Sequence, residues 1–296
     1  MIYNLKTRAK KKWFDLSCRA ILSSTPLKTK PSEIAIVTMI CHPDLIMYLV
    51  SIKSFYKQLG HGKIFILDDG SLDDKDKAIL NHHLCKPDII PISKIFTGAC
   101  PKGGCWERIM LVAQLSEEYF VIQLDADIIT TGAIPEVQAA FDSKHSFTLG
   151  TPQGLKFISL REASMAVADA KGKHVQTISE QHFHKLPQSD SRKYVRGCAG
   201  FAGFAKKSIL KKHIEDFSEE MESGIGNVWR TWGSEQVTSN YIVSNNQGSV
   251  VLPFPKYGSF EPQVDISQSS LVHFYGTYRF SEGKYISLTR KFLRNG

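Results

Sequence analysis

The sequence predicts an α/β fold, an open sheet with ligands gathered at the carboxyl ends of its strands. Three observations carry that expectation. Apolar, β-branched runs of strand length alternate with helix-period segments from Glu33 to Ile129. The first strand–helix–strand unit has the length of a parallel, right-handed crossover. Polar residues stand where strands end: Thr38, Asp68 and Asp125.

In order, Glu33–Ile40 reads as a buried strand after the boundary at Pro31-Ser32, and Asp44 to Leu59 as a helix stopped by Gly60-His61-Gly62. Lys63–Leu67 is a second strand, ending in Asp68-Asp69-Gly70-Ser71. Asp73 to Leu84 reads as a helix and Asp88–Ile92 as a short strand. The helix Glu107 to Glu118 feeds the strand Tyr119–Leu124. Ser146–Pro152 looks like a strand, and residues 153–193 are polar and irregular, with His174, His182 and His184 scattered through them. Such a stretch is either a lid or acceptor-binding insertion or a plain surface excursion. Arg196–Phe204 is small and apolar, a helix runs from Lys206 into Met221, and Gly233-Ser234-Glu235-Gln236 opens another to Val243. Leu271–Gly276 precedes a basic run with Lys284, Arg290, Lys291 and Arg294.

The chain has 296 residues, 42% of them hydrophobic, enough for one large domain. Its formal charge of +8 is concentrated at the start, where eight Lys and Arg residues within 1–31 face Asp15 alone. The rest is nearly neutral, so a basic nucleic-acid face is not expected. The apolar residues of this arm (Trp13, Phe14, Leu16, Ile21, Leu22) are interrupted by Asp15 and Arg19, which fits neither a signal peptide nor a spanning helix. No later segment reaches about 18 uncharged apolar residues. A cytoplasmic protein is expected, soluble or peripheral at the inner face of the membrane. The arm, with Trp13 and Phe14, suits either an anionic membrane surface or a solvated terminus. Cys18, Cys41, Cys85, Cys100, Cys105 and Cys198 are too sparse for a disulfide scaffold and are expected as free thiols. A zinc site from His82, His83, Cys85, Cys100 and Cys105 lacks a second close cysteine pair.

Asp125 and Asp127 follow the apolar run Tyr119–Leu124 at i, i+2. If strand geometry persists through them, both carboxylates point the same way. Two converging carboxylates can hold a hard divalent cation with positions open for phosphate oxygens and water. The plain alternative is a strand followed by an acidic turn.

Several segments, taken in order, resemble one family. Phe65-Ile66-Leu67-Asp68-Asp69-Gly70-Ser71 is similar to a nucleotide-proximal strand end, and Leu124-Asp125-Ala126-Asp127 to an Asp-x-Asp metal motif. Cys198-Ala199-Gly200-Phe201-Ala202-Gly203-Phe204 resembles a segment that usually reads Asn-Ala-Gly followed by apolar residues. Glu235-Gln236-Val237-Thr238-Ser239-Asn240 resembles an Asp-Gln-Asp run with an Asn five positions after the first acid. His273-Phe274-Tyr275-Gly276-Thr277-Tyr278-Arg279 resembles a closing His-Phe-x-Gly-x-x-Lys motif. These are features of the GT-A-fold glycosyltransferases, family 8 in particular, and the resemblance runs from about residue 33 to residue 281. Cys198 departs from the usual Asn, Glu235 from Asp, Arg279 from Lys and Phe280 from Pro.

The resemblance implies a GT-A fold: a Rossmann-like nucleotide-diphospho-sugar transferase, one domain over residues 32–281 with a mixed central sheet. Residues 1–31 would then be a basic arm and 282–296 a basic tail. It implies a hexosyltransferase that uses a UDP-sugar with Mn²⁺ or Mg²⁺ bound by Asp125, Asp127 and His273, and that serves a glycan or glycolipid acceptor in surface polysaccharide synthesis. Thr38 and Asp68 are candidates for the nucleotide base and ribose, or are ordinary cap and turn residues. Arg108 would reach the diphosphate, or be an exposed helix arginine. Gly276 would let backbone approach the phosphate, and Arg279 would contact it. Retention of anomeric configuration is implied, with Glu235 and Gln236 near the reacting carbon. The alternatives are an inverting enzyme with Glu235 as base, or a non-catalytic carbohydrate- or membrane-binding relative. A sugar-nucleotide pyrophosphorylase is disfavoured, because Met39-Ile40-Cys41-His42-Pro43 stands where a Gly-rich, Arg-containing loop is needed.

Overall fold

A computed structural model describes residues 2–294 of the chain, so Met1 of the arm and Asn295 and Gly296 of the tail lie outside the described residues. The first elements are α1 (Ile2–Cys18), β1 (Ile34–Ile40), α2 (Leu45–Leu59), β2 (Lys63–Asp68), α3 (Asp74–His83) and β3 (Asp88–Pro91). They are followed by α4 (Trp106–Ser116), β4 (Phe120–Leu124), β5 (Ile128–Thr130), α5 (Pro135–Asp142), β6 (Phe147–Leu149) and β7 (Ile158–Ser159). Then come α6 (Leu160–Ala166), α7 (Val175–His182), β8 (Lys193–Tyr194), β9 (Cys198–Phe204), α8 (Lys211–Ile225) and α9 (Ser234–Asn245). The chain closes with β10 (Val250–Leu252), β11 (Tyr257–Ser259), β12 (Leu271–His273) and α10 (Lys284–Arg294). Two compact units result: Met1–Ile92, Leu124–Pro135 and Pro255–Gly296 form the first, and Ser93–Gln123 with Glu136–Phe254 the second.

In the first unit β1, β2 and β3 pair in parallel, with Ile36 opposite Ile64 and Ile66 opposite Ile89. Burial on both faces explains why β1 reads as an almost unbroken apolar run. The α2 crossover ends at Gly60, whose φ of +82° gives a left-handed cap and whose N–H donates to Tyr56 O. A capping box of Asp73 and Asp76 starts α3. A small sheet completes the unit, with β12 parallel to β11 and antiparallel to β5.

The N-terminal segment is helical and partly interior. Phe14 is fully buried, its ring 4.4 Å from that of Tyr285 in α10 and 5.7 Å from that of Phe280. Of the two aromatics expected at an interface, only Trp13 is exposed, at 58%. The alternating exposure follows from an amphipathic helix docked on α10.

In the second unit β6 runs parallel to β10 and antiparallel to β9, with a register shift between Thr148 and Leu149. Parallel and antiparallel pairs therefore coexist, as a mixed sheet requires. Residues 153–193, read from sequence as irregular, hold the β7–β8 pair and the short helices α6 and α7. Ser159 and Glu162 form a capping box at α6, a Ser-x-x-Glu signature visible in the sequence. None of the six cysteines is in a disulfide. No described helix is long and apolar enough to cross a membrane.

Phe14→Ala is expected to lower the unfolding free energy by about 3–5 kcal/mol, the usual cost of emptying a buried aromatic site. Trp13→Ala should stay within about 0.5 kcal/mol. Urea unfolding of the two variants checks the difference, and equal small effects would contradict the docking of α1.

Candidate active site

The chain leaves strand geometry at Asp125, and Asp125-Ala126-Asp127 forms a turn between β4 and β5, closed by Ile128 N donating to Asp125 O at 3.4 Å. The i, i+2 argument from strand alternation is thereby corrected: it is the turn that presents both carboxylates to one side. Ser51 Oγ in α2 anchors the turn by donating to Asp125 O at 2.8 Å. The antiparallel pairing sets His273 opposite Ile128, and Phe274 N donates to Asp127 O at 2.9 Å. His273 is thereby held beside Asp127 although far from it in sequence.

His273 Nε2 lies 3.1 Å from Asp127 Oδ1 and 3.6 Å from Asp125 Oδ2. All three ligand atoms fall within 4.8 Å of one another. Metal–oxygen bonds of about 2.1 Å in an octahedral shell put neighbouring ligands roughly 3 Å apart, so this spacing fits one divalent ion. Two carboxylates and one imidazole suit Mn²⁺ or Mg²⁺. His273 Nδ1 faces Ser259 Oγ at 3.5 Å, a partner that would leave Nε2 as the ligand nitrogen. The side chains of Asp127 and His273 are about 5% exposed and that of Asp125 is 26% exposed, so the corner opens on the Asp125 side.

Arg279 contributes a further charge, its terminal nitrogen 2.6 Å from Asp127 Oδ2 and its Nε donating to Phe274 O at 3.1 Å. Burial, the largest influence on Asp127, works against its charge. His273 and Arg279 outweigh it, and the carboxyl is held below its ordinary value. Gly276 has a φ of +48°, with open space where a side chain would stand.

Of the other expected donor contacts in this unit, neither joins that corner. Thr38 is fully buried inside β1 instead of standing at its end. Asp68 Oδ1 accepts from Gly70 N at 2.8 Å and Leu72 N at 3.3 Å, and Oδ2 pairs with Lys77 at 3.3 Å. That is the turn-forming role of an Asx residue.

In the second unit Arg108 is buried, not exposed, and its guanidinium lies 3.3 and 3.4 Å from the two carboxylate oxygens of Glu235, itself 3% exposed. Gly233 stands at the N-cap of α9. Its φ is +105°, and a side chain there would meet His174 at 2.7 Å. Trp106 Nε1 donates to Ser234 Oγ at 3.0 Å, tying α4 to α9. Gln236 Oε1 accepts from Ala199 N at 3.3 Å, and its Nε2 donates to Gln176 Oε1 at 3.3 Å. Asn240 is structural: Oδ1 accepts from Thr148 Oγ1 at 3.2 Å, and Nδ2 donates to Gly197 O at 2.9 Å. Ser259 and Gln176 are absent from the sequence reading. A serine beside a metal ligand and a glutamine behind another glutamine leave no local signature.

Arg108→Met takes the guanidinium away from a buried carboxylate and should cost about 3–5 kcal/mol of stability. The Arg108→Met, Glu235→Met double variant should regain most of that loss in the same unfolding measurement. A harmless single variant would show that the pair does not neutralise Glu235.

No family model matches the sequence, and no curated protein sequence matches it; the likeness is structural. The galactosyltransferase LgtC, solved with donor and acceptor sugar analogues, gives a TM-score of 0.51 at 13% identity, over 87% of this chain and 95% of its own. An active-site mutant of LgtC gives 0.52 with the same coverage. The bifunctional glycosyltransferase WbbM gives 0.51 at 11% identity over 92% of this chain and 51% of its own, so the chain spans about half the length of WbbM. The fold is that of the GT-A glycosyltransferases.

Proposed function

We propose that the protein is a divalent-metal-dependent glycosyltransferase that moves a hexose from a UDP-sugar to a glycan or glycolipid acceptor with retention of configuration. The observation that carries this reading is the corner formed by Asp125, Asp127 and His273, with Arg279 beside it. Breaking the anomeric carbon–oxygen bond leaves charge on the diphosphate, and stabilising that charge is the main electrostatic demand of the reaction. A divalent ion bound at this corner supplies Lewis-acid stabilisation of the leaving group. Asp127 and Phe274 O orient Arg279, whose remaining N–H groups are proposed to meet phosphate oxygens. Asp125 is proposed to face the donor, Gly276 to admit phosphate close to backbone, and Thr38 and Asp68 to shape the nucleotide side from behind.

Gln236 and Glu235 are proposed to contact the transferred sugar. The Arg108 guanidinium engages both oxygens of Glu235, so that carboxylate is held in a buried pair and not presented to an incoming hydroxyl. This favours a positioning role over general-base catalysis and so favours retention. On this account the acceptor proton passes to an oxygen of the departing phosphate, on the face that the phosphate vacates. Gln236, held by Ala199 N and Gln176, would stabilise positive charge developing at the anomeric carbon.

UDP release from a panel of UDP-hexoses with Mn²⁺ tests the reading. Turnover should vanish in excess chelator, and Asp127→Asn should lower it by orders of magnitude with the fold intact. Gln236→Ala should reduce kcat more than it weakens UDP binding, because the lost interaction grows toward the transition state. Unchanged turnover in chelator would remove the metal from the mechanism. A β-linked product from an α-linked donor, seen by NMR, would recast Glu235 as the base.

A further inference from the structure

Between Pro152 and Arg196 the second unit holds a cavity of about 810 Å³, within the roughly 300–1,000 Å³ of sites that take small organic ligands. It shares no residue with the Asp125, Asp127 and His273 corner. Small side chains give it room. Ala163 and Ala166 stand three positions apart on α6, and Val167 and Ala170 follow in the turns that end the helix, with Ala170 N donating to Val167 O at 3.0 Å. Gln181 of α7 fixes those turns, its Nε2 donating to Val167 O at 3.0 Å and to Ala170 O at 2.8 Å. Ile158 of β7 and Leu155, 54% exposed, extend the aliphatic lining. The wall is apolar and already in place, so a hydrocarbon chain laid along it loses little to reorganisation.

The charged groups on the same lining are Lys156, Glu180 and Arg196, and they are not equally available. Glu180 is 1% exposed, its Oε2 paired with Arg196 Nη1 and its carboxyl held close to Tyr194 and Gln176. The Arg196 side chain is 32% exposed, so the guanidinium is the member of that pair a ligand can reach. Gly154 sets the loop that carries Lys156 against Arg196, because a side chain at Gly154 would meet Arg196 O. Lys156 is exposed, and Glu162, the acid whose charge it feels, accepts from Ser159 N at 2.7 Å and lies off the lining. Burial pushes the Glu180 carboxyl up to about 7, and its protonation would make this end more positive, not less. A ligand therefore meets two cationic groups and no reachable acid beside an aliphatic wall.

We propose that this cavity binds an aliphatic phosphate: a hydrocarbon chain along Ala163, Ala166, Val167 and Ala170, with its phosphate between Lys156 and Arg196. A phosphate monoester carries close to two charges and three acceptor oxygens, which match the ammonium and the guanidinium N–H groups that Glu180 does not engage. This binding does not depend on the transferase reading.

The probe is octyl phosphate below its micellar concentration, titrated calorimetrically into the full chain at about pH 8, where the phosphate is doubly charged. No donor or metal is present. Saturable one-to-one binding is expected, with inorganic phosphate and octyl β-D-glucopyranoside each at least tenfold weaker and octanoate also weaker. Lys156→Ala, and Ala166→Trp, which fills the wall at an exposed position, should each weaken binding tenfold or more while keeping the wild-type unfolding midpoint. Failure of octyl phosphate to saturate, or either variant binding as the wild type does, overturns the proposal. Octyl glucopyranoside or octanoate binding as tightly as octyl phosphate overturns the phosphate head, and inorganic phosphate doing so overturns the aliphatic body.

Discussion

The antiparallel pairing of β12 with β5 is the constraint on which the candidate site depends. It delivers His273 to the Asp125–Asp127 turn and fixes it with a backbone bond from Phe274 N to Asp127 O. The same segment continues into Gly276 and Arg279, so one pairing supplies the imidazole, the open backbone and the guanidinium. Without it, the two aspartates would face each other with only a turn between them. With it, His273 and Arg279 stand beside Asp127 and hold its carboxyl below the ordinary value despite burial.

A second principle repeats in the other unit: two buried carboxylates there are matched by arginines from a neighbouring element. Glu235 of α9 faces Arg108 of α4, and Glu180 of α7 faces Arg196 just before β9. The two pairs differ in what they leave over. Arg108 reaches both oxygens of Glu235, so that carboxylate is neutralised and held. Arg196 engages one oxygen of Glu180, and burial nevertheless pushes that carboxyl up to about 7.

Much of the framework was legible because it is local. The apolar run of β1, the Gly60 stop of α2 and the Asp73 cap of α3 each announce themselves within a few residues. The nearness of Asp125 and Asp127 was also legible, although by an argument about strand alternation that the turn replaces, and His273 was singled out by the resemblance of its segment to a closing His-Phe-x-Gly motif. What the sequence hid depends on contacts distant along the chain. Arg108 reads as a helix-surface arginine until α9 is placed against α4, and Thr38 reads as facing the nucleotide until the packing around β1 shows it fully buried. Phe14 and Trp13 are adjacent in a polar segment, and only the docking of α10 decides that one is interior and the other exposed. Residues 153–193 escaped because helices of seven and eight residues are too short for their periodicity to stand out.

The central claim is that Asp125, Asp127 and His273 bind one divalent ion together with a nucleoside diphosphate. Electron paramagnetic resonance of Mn²⁺ reads this directly, because bound ion loses the sharp six-line spectrum of the free ion. The account predicts that the wild-type chain immobilises one equivalent of Mn²⁺ when UDP is present, and that His273→Ala and Asp127→Asn each abolish this while remaining folded. A wild-type chain that leaves the free-ion spectrum unchanged with UDP, or a His273→Ala variant that binds Mn²⁺ as the wild type does, would contradict it.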